Sequence, residues 1–219
     1  MSSIAWKEVV IRPIVVDLVA RVSSRVFLGK ELSRNPKWLR ITKSYTMNMF
    51  IAATELRMYP CWTRRFVHWV LPRCRDLRGL FNEARETIEH FIKEREQLKN
   101  SAQATEDAVP IFNDAIEWAA TEARAENVAF DEAKFQLAMS VAAIHTTADL
   151  LTQVILDLAK NPDTIIHIRE EIQKCLRAHG WTKAAFYNMQ LCDSVIKESQ
   201  RLKPASIGRL HLLFHIRLG

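Results

Sequence analysis

The stretch that decides the fold is residues 131–160, which read DEAKFQLAMSVAAIHTTADLLTQVILDLAK. Apolar side chains occupy nearly every face of a helical turn at its centre, which predicts a helix buried in a core. Residues 135–148 carry no charged side chain, yet this run has only 14 residues and includes His145 and two threonines. Because a membrane span needs about 20 predominantly apolar residues, we expect a buried core helix over residues 131–160.

Within this helix, the motif Ala142-Ala143-Ile144-His145-Thr146-Thr147 combines small and polar side chains. The two alanines allow a bulky group to approach the backbone closely. The two threonine hydroxyls can bond the carbonyl four residues back and bend the helix. The same residues also suit a plain core helix whose histidine and threonines are satisfied by internal hydrogen bonds. On the residues alone, both interpretations stay open.

The composition favours helices along the whole chain. Only 5 of the 219 residues are Gly and 7 are Pro, too few for the many tight turns of a β-sandwich or barrel. Hydrophobic residues make up 48% of the chain, which is enough for a packed core. We therefore expect an all-α fold. The turn-forming residues place its helices over residues 14–27, 36–57, 110–125, 131–160, 163–179 and 191–202, with another long helix between Pro72 and the loop-like residues 100–107.

Charge and cysteine usage predict a soluble intracellular protein. The formal net charge is +6 and the isoelectric point is about 9.3, which permits an anionic partner without requiring one. The four cysteines show no CxxC or CxH spacing, so we expect reduced thiols. Charges at Lys7, Glu8 and Arg12 exclude a signal peptide over the first residues. A cytoplasmic location is predicted for the chain.

A basic, aromatic segment follows the second predicted helix. Its arginines are interleaved with three large aromatic side chains: Arg64, Arg65, Arg73, Arg75 and Arg78 with Trp62, Phe66 and Trp69. Such a run can meet an anionic lipid surface or a phosphate backbone, or it can be a solvated face with arginine stems lying along the protein. Because no helix-turn-helix, zinc-finger or single-strand-binding pattern accompanies it, we expect no nucleic acid partner. A membrane surface is the favoured functional interpretation.

Near the end of the chain, Glu198 and Arg201 form an ExxR pair that can share one helix face. By itself this spacing is common and carries little information. The chain has no GxSxG, GxxxxGK[ST], GxGxxG or HExxH motif, and its seven histidines lack metal-ligand spacing. Hydrolase, kinase, dinucleotide-binding and zinc-enzyme functions are therefore not supported, and no metal-ligating residue is predicted.

Taken in order, these motifs resemble the cytochrome P-450 family of haem-thiolate monooxygenases, and most closely its fungal members of secondary metabolism of the ent-kaurene oxidase type. Residues 135–160 with AAIHTT resemble the family's I helix, and Asn161-Pro162 with residues 168–172 resemble the entry to its J helix. Residues 197–202 and Pro204 resemble the K helix, and residues 6–9 and 23–29 resemble the D and E region. The resemblance predicts a partial helical domain over residues 1–209 and a divergent tail over residues 210–219.

The resemblance implies a reaction and a set of roles. The family inserts one oxygen atom from O2 into a C–H bond of a small lipophilic substrate, using haem and electrons from an NADPH-dependent reductase, and its intact members sit on the endoplasmic reticulum membrane. Thr146 and His145 would serve oxygen activation and proton delivery, with His145 standing where the family usually has Asp or Glu. Ala142 and Ala143 would line the haem face. Glu198 and Arg201 would be structural.

The family holds its haem by a cysteine thiolate in an FxxGxRxCxG loop, and none of the four cysteines here lies in such a sequence. The resemblance therefore predicts a form truncated at both ends, which does not bind haem stably and is inactive by itself. The alternative is a non-catalytic helical protein, derived from the same fold, that serves in interaction or regulation.

Overall fold

A computed structural model describes residues 8–105, 108 and 110–204. Over these residues the chain forms α-helices and no strands, which confirms the prediction of an all-α fold. The predicted tail over residues 210–219 lies outside the described residues, as do Trp6 and Lys7. The helices are α1 (Ile11–Leu32), α2 (Pro36–Arg57), α3 (Cys61–Val70), α4 (Pro72–Ala104), α5 (Ala115–Ala125), α6 (Glu132–Lys160), α7 (Pro162–His179), α8 (Lys183–Tyr187) and α9 (Gln190–Leu202).

The described chain divides into two compact units. One comprises residues 16–145, and the other comprises residues 8–15 together with residues 146–204. Both boundaries fall inside helices, within α1 and within α6. Each unit has its own buried residues and is described by itself.

Helix starts follow the capping residues that the sequence supplies. The side chain of Asn35 accepts hydrogen bonds from the backbone N–H groups of Lys37 at 2.9 Å and Trp38 at 3.2 Å, and Pro36 occupies the first helical position. These bonds satisfy donors that the first helical turn leaves without partners. At α8, Thr182 plays the same part by accepting from the N–H of Ala185. The predicted start of α2 is confirmed.

The start of α5 differs from the prediction of a helix from Pro110. The helix begins at Ala115, because the side chain of Asp114 is the cap and accepts a hydrogen bond from the N–H of Glu117 at 3.2 Å. A proline marks a permitted helix start, whereas the cap that forms is decided by which side chain can reach the free N–H groups. Asp114 does so from a buried position.

The core of the unit of residues 16–145 is built around α2 and α4. On α4 the buried side chains from Leu80 onward recur at steps of three and four, and they meet buried residues of α1, α2, α5 and α6. Burying one such aliphatic or aromatic side chain contributes about 1.5–3 kcal/mol. The cluster consists of Leu28, Leu32, Trp38, Ile41, Ala84, Ile88, Phe91, Ile116 and Leu137.

A buried ion pair lies beside this core. Arg95 of α4 is 7% exposed and donates through both terminal nitrogens to Asp114, which is 2% exposed. The guanidinium also donates to the carbonyl of Leu28 at 3.2 Å and lies between two aromatic rings, with its carbon 4.2 Å from the centroids of Phe91 and Phe112. Stacking and hydrogen bonding compensate part of the cost of desolvating the charges.

This ion pair also requires the glycine at position 29. Gly29 has φ +81° and interrupts the helical geometry of α1, although the helix resumes and continues to Leu32 beyond the predicted end. A Cβ at this position would lie 3.0 Å from Asp114 Oδ2 and 3.2 Å from Arg95 Nη2. The residue therefore has to be glycine on two counts, backbone conformation and space.

Candidate functional site

The AAIHTT segment of α6 presents different side chains on different faces. Ile144, His145 and Ala148 are buried, whereas Ala142, Thr146 and Thr147 are exposed and Ala143 is half-buried. Residues four apart share a helix face, so Ala138, Ala142 and Thr146 form one open strip along the helix, and all three are exposed. We call these three residues the open strip. It consists of two methyl groups and a hydroxyl-bearing side chain.

His145 points away from this strip, into the unit of residues 16–145. Its Nε2 lies 2.9 Å from Thr46 Oγ1 on α2, and the ring of Phe50 meets the imidazole edge-on with centroids 5.9 Å apart. Thr46 Oγ1 is also 3.1 Å from the carbonyl oxygen of Lys43. The sequence placed His145 and Thr146 side by side, and the structure directs the two side chains to different surroundings.

Thr146 belongs to the other unit, where it borders a cavity of about 640 Å³. One wall is α6 and the opposite wall is the end of α9, where Lys203 Nζ donates to Gln153 Oε1 at 3.0 Å. The polar lining offers hydroxyl, amide and ammonium groups to a ligand. The lining residues are Thr146, Thr147, Asp149, Leu150, Gln153, Gln200, Lys203 and Pro204.

Glu198 and Arg201 pair with each other on α9, as the sequence predicted. Arg201 donates from Nε to one carboxylate oxygen at 2.7 Å and from Nη2 to the other at 2.6 Å. The side chains of Arg201 and Glu198 are 68% and 53% exposed. The hydrogen bonds from Arg201 hold the pKa of the Glu198 carboxyl below its ordinary value, and those same bonds raise the pKa of Arg201. Solvent screens this pair, so it orients the two side chains more than it stabilises the helix.

A carboxylate that sequence reasoning missed holds the start of α9. Glu171 on α7 accepts from the backbone N–H of Leu191 at 2.8 Å and from that of Cys192 at 2.9 Å, one bond on each oxygen. A negative charge at a helix N-terminus is stabilised by the free N–H groups and the helix dipole. Its only sequence signal was an acidic residue on α7, because the helix that it caps begins nineteen residues later.

The basic, aromatic segment forms α3 and the first turns of α4. Three of its arginines bind the protein itself. Arg64 donates to the carbonyls of Tyr59 and Arg57, and Arg78 donates to those of His68 and Trp69. Arg73 donates to the side-chain oxygen of Asn48 at 3.4 Å. The aromatic side chains are exposed, with Trp62 78% exposed, Phe66 70% and Trp69 64%. The Trp69 ring also contacts His68, with centroids 5.0 Å apart, and the guanidinium of Arg78 lies 5.0 Å from its centroid. At spacings of four and three these three share one face of α3, and the exposed Arg65, Arg73 and Arg75 lie beside them in sequence.

A haem is the group that the resemblance implies for this site. The open strip suits the flat face of a porphyrin, since a bulkier side chain at Ala142 would hold the ring away. The described residues contain no cluster of three or more His, Cys, Asp or Glu able to hold a metal ion. The free cysteines lie elsewhere: Cys61 is exposed on α3, Cys74 is buried on α4, and Cys175 and Cys192 share an apolar cluster with Met189. The described residues thus place small side chains on one face of α6, and their four cysteines belong to no cluster able to hold a metal ion.

By length and composition, α6 is the one helix in the described part of the chain that could cross a membrane, with a mean hydropathy of 1.3 over its best 18 residues. Buried core helices of water-soluble proteins share this signature. The polar residues Gln136, Ser140 and His145 are buried along it.

Comparison with known proteins finds one family along nearly the whole chain. The family model for cytochrome P-450 matches residues 3–213. Cytochrome P-450 monooxygenase 1 of Gibberella fujikuroi is 46% identical over 205 residues, which cover 94% of this chain and 46% of that protein. The monooxygenase hepE of Aspergillus oryzae is 43% identical over 216 residues, covering 98% of this chain and 39% of its own.

A third fungal relative, the cytochrome P-450 monooxygenase ptmU of Penicillium ochrochloron, is 42% identical over 94% of this chain and 40% of its own length. The chain thus spans less than half the length of these curated relatives. No solved structure matches it. Since the family model accounts for nearly every residue and the fungal monooxygenases align along nearly the whole sequence, the chain belongs to the cytochrome P-450 family.

Proposed function

We propose that this chain provides the distal, oxygen-activating helix of a haem-dependent monooxygenase that oxidises a small lipophilic substrate in fungal terpenoid or other secondary metabolism. The observation that carries the proposal is the open strip of α6, whose Thr146 borders the cavity next to α9. Membership of the family supports an NADPH-dependent reductase as the electron donor and haem as the cofactor.

The residues of α6 have separate tasks in this proposal. Ala142 and Ala143 have small side chains, so that a haem ring could approach the backbone of α6 closely. When bound, the haem supplies the oxidising chemistry. Thr146 holds a hydroxyl at the edge of the polar cavity, where it can donate one hydrogen bond and accept others. His145 is a proton-exchanging group on the same helix, because an imidazole changes charge near neutral pH.

A chimaera tests the role of Thr146. The segment of the Gibberella fujikuroi monooxygenase 1 that aligns with residues 132–160 would be replaced by the α6 sequence of this chain. The rate of product formation is then measured for the chimaera and for its Thr146→Ala and Thr146→Ser variants. Removing a group that helps a proton transfer costs about 10²-fold or more in rate. We expect such a loss with alanine and near-normal turnover with serine; equal turnover in all three would overturn the role.

We further propose that the 219-residue polypeptide does not carry out the reaction by itself, because none of its cysteines lies in an FxxGxRxCxG sequence. The purified chain is reconstituted with haem, reduced and exposed to CO. We expect no absorption band of the thiolate-ligated type. The fungal relative, treated in the same way, serves as the positive control. A thiolate-type band from this chain would contradict the proposal.

For location, we propose that α3 docks on an anionic membrane surface, as suits a family whose intact members are membrane enzymes. The apolar face of Trp62, Phe66 and Trp69 is free to enter the headgroup region, and the neighbouring arginines complement acidic lipid. Binding to vesicles of mixed phosphatidylserine and phosphatidylcholine is measured at low and high salt. Trp62→Ser with Trp69→Ser should abolish binding, whereas Trp181→Ser, at a tryptophan equally exposed in the other unit, should leave it unchanged. Salt-insensitive binding, or binding by the double variant, would exclude this surface.

A further inference from the structure

We propose that Lys203 is a substrate-binding residue whose ammonium group receives a carboxylate, so that the preferred substrate is a lipophilic carboxylic acid. The inference rests on the proposed function, because it concerns the cavity that Thr146 borders. Lys203 directly follows α9 and lines the wall of this cavity opposite α6. The residues that carry the inference all belong to the unit of residues 8–15 and 146–204.

A chain of hydrogen bonds sets the position of the Lys203 ammonium group. Gln153 on α6 donates from Nε2 to Asp157 Oδ1 at 2.6 Å, and its Oε1 accepts from Lys203 Nζ at 3.0 Å. A carboxylate can only accept and an ammonium can only donate, so these two partners decide which way the amide of Gln153 points. The amide oxygen is presented to Lys203, and Gln153 is therefore its positioning residue.

The two charged side chains that line the cavity are paired differently. Asp149 is compensated by Arg12, which donates to Oδ1 from Nε at 3.1 Å and from Nη2 at 3.0 Å. Lys203 has one hydrogen-bond partner among the described residues, and that acceptor is a neutral amide. An ammonium has three N–H donors, so two of them are left for a ligand. The cavity thus presents a positive charge with no carboxylate directly bonded to it, and an anionic group of a ligand complements this charge.

The rest of the lining suits an acid with an apolar body. Leu150 and Pro204 are apolar, and Thr146 and Thr147 each add a methyl group beside the hydroxyl. The cavity volume of about 640 Å³ lies within the range of ligand sites, roughly 300–1,000 Å³. A carboxylate bound at Lys203 places the apolar body of the same molecule along α6. Charge-assisted hydrogen bonding at Lys203 therefore both selects the acid and orients it.

The test is the binding of abietic acid, a diterpenoid carboxylic acid, and of methyl abietate, which has the same skeleton without the charge. Isothermal titration calorimetry at neutral pH measures both affinities for the full 219-residue chain. We expect the native chain to bind the acid more tightly than the ester. Lys203→Gln should weaken binding of the acid about tenfold, as loss of a hydrogen bond to a charged group does, and leave the ester unchanged. Lys203→Arg should retain the preference for the acid, and Gln153→Leu should reduce it.

Lys197→Gln is the matched control. It removes the same charge from α9, at a residue that pairs with Asp193 at 2.5 Å and lies outside the cavity lining, and it should change neither affinity. No binding of the acid, equal affinities for acid and ester, or an unchanged affinity for the acid in Lys203→Gln would overturn the inference.

Haem also carries carboxylates, so protoporphyrin IX and its dimethyl ester are titrated in the same way. If Lys203→Gln weakened binding of the porphyrin acid and left that of abietic acid unchanged, the carboxylate at Lys203 would belong to the cofactor and the substrate assignment would be wrong. None of these measurements involves turnover. The inference can therefore fail while the role of Thr146, tested in the chimaera, stands.

Discussion

At position 29, the absence of a side chain on glycine allows α1, α4 and the start of α5 to pack closely together. The positive φ of Gly29 disfavours any residue with a Cβ, and the space that a Cβ would need is taken by Asp114 and Arg95. Gly79 offers a contrast, because it lies inside α4 with nothing within 4 Å of an added Cβ. The same substitution at the two sites should therefore have opposite effects.

Gly29→Ala is expected to lower the free energy of unfolding by about 1–3 kcal/mol, the cost of a strained left-handed residue. Gly79→Ala should raise it by up to about 1 kcal/mol, because alanine is the better helix former. Urea denaturation followed by circular dichroism measures both. If Gly29→Ala were as stable as the native chain, the close approach of Asp114 and Arg95 would be wrong.

Asp131 gives a second prediction for a single residue, through pH. It caps α6 by accepting from the N–H of Lys134 at 3.0 Å and is paired with Arg85. The bond from the Lys134 backbone, aided by the side chains of Lys134 and Arg85, holds the pKa of its carboxyl below the ordinary value. Because the folded pKa is lower than the unfolded one, about 3.9, its stabilisation is full above that value and is lost as pH falls through the folded pKa.

The variant Asp131→Asn keeps a capping oxygen but cannot titrate. We expect the native chain to be more stable than this variant at about pH 7, with the gap closing as the pH is lowered below about 4. Urea midpoints across this range measure the gap. A gap that is the same at neutral and acid pH would show that the charge of Asp131 contributes nothing.

At the scale of helices, α9 depends on a side chain from α7. Glu171→Ala should cost about 1 kcal/mol, as the loss of a helix cap does, and should speed hydrogen exchange at the amides of Leu191 and Cys192, which it binds. Glu170→Ala is the control, because Glu170 is exposed on the same helix and lies 3.6 Å from the side chain of His167. If both variants exchanged alike at Leu191, Glu171 would not be the cap.

Helix positions could be predicted from the sequence because their signals are local. The signals that end one helix and start the next act within a few residues, and the structure has α2 and α7 within one residue of the predicted ranges 36–57 and 163–179. The bonds between helices could not be predicted in this way. Arg95 meets a carbonyl 67 residues earlier, and His145 meets a hydroxyl 99 residues earlier. The motif AAIHTT indicated which residues matter, but which way each side chain points depends on neighbours that no spacing reveals.

At the scale of the whole molecule, the reactivity of the four cysteine thiols tests the packing of both units, because each unit contains two of them. Cys61 is exposed, whereas Cys74 in one unit and Cys175 in the other are buried. Burial raises the pKa of the Cys74 thiol, and burial together with the nearby Glu171 raises that of Cys192. A raised pKa lowers the fraction of reactive thiolate.

A thiol reagent at neutral pH should therefore react quickly with one cysteine of the native chain and with all four in urea. Cys61→Ser should remove the fast phase and leave the others unchanged. Rapid reaction of Cys175 in the native chain would mean that its apolar cluster with Ala185 and Met189 does not form.

The triad of Gly29, Arg95 and Asp114 also has an evolutionary consequence. Any amino-acid substitution at Gly29 adds a Cβ that crowds the other two side chains, and loss of either charged residue leaves its partner charged and buried. Replacing any one of the three residues before the others therefore destabilises the protein. We expect lineages descending from this sequence to keep all three or to replace them as a set, so that substitutions at these sites occur together on a phylogenetic tree.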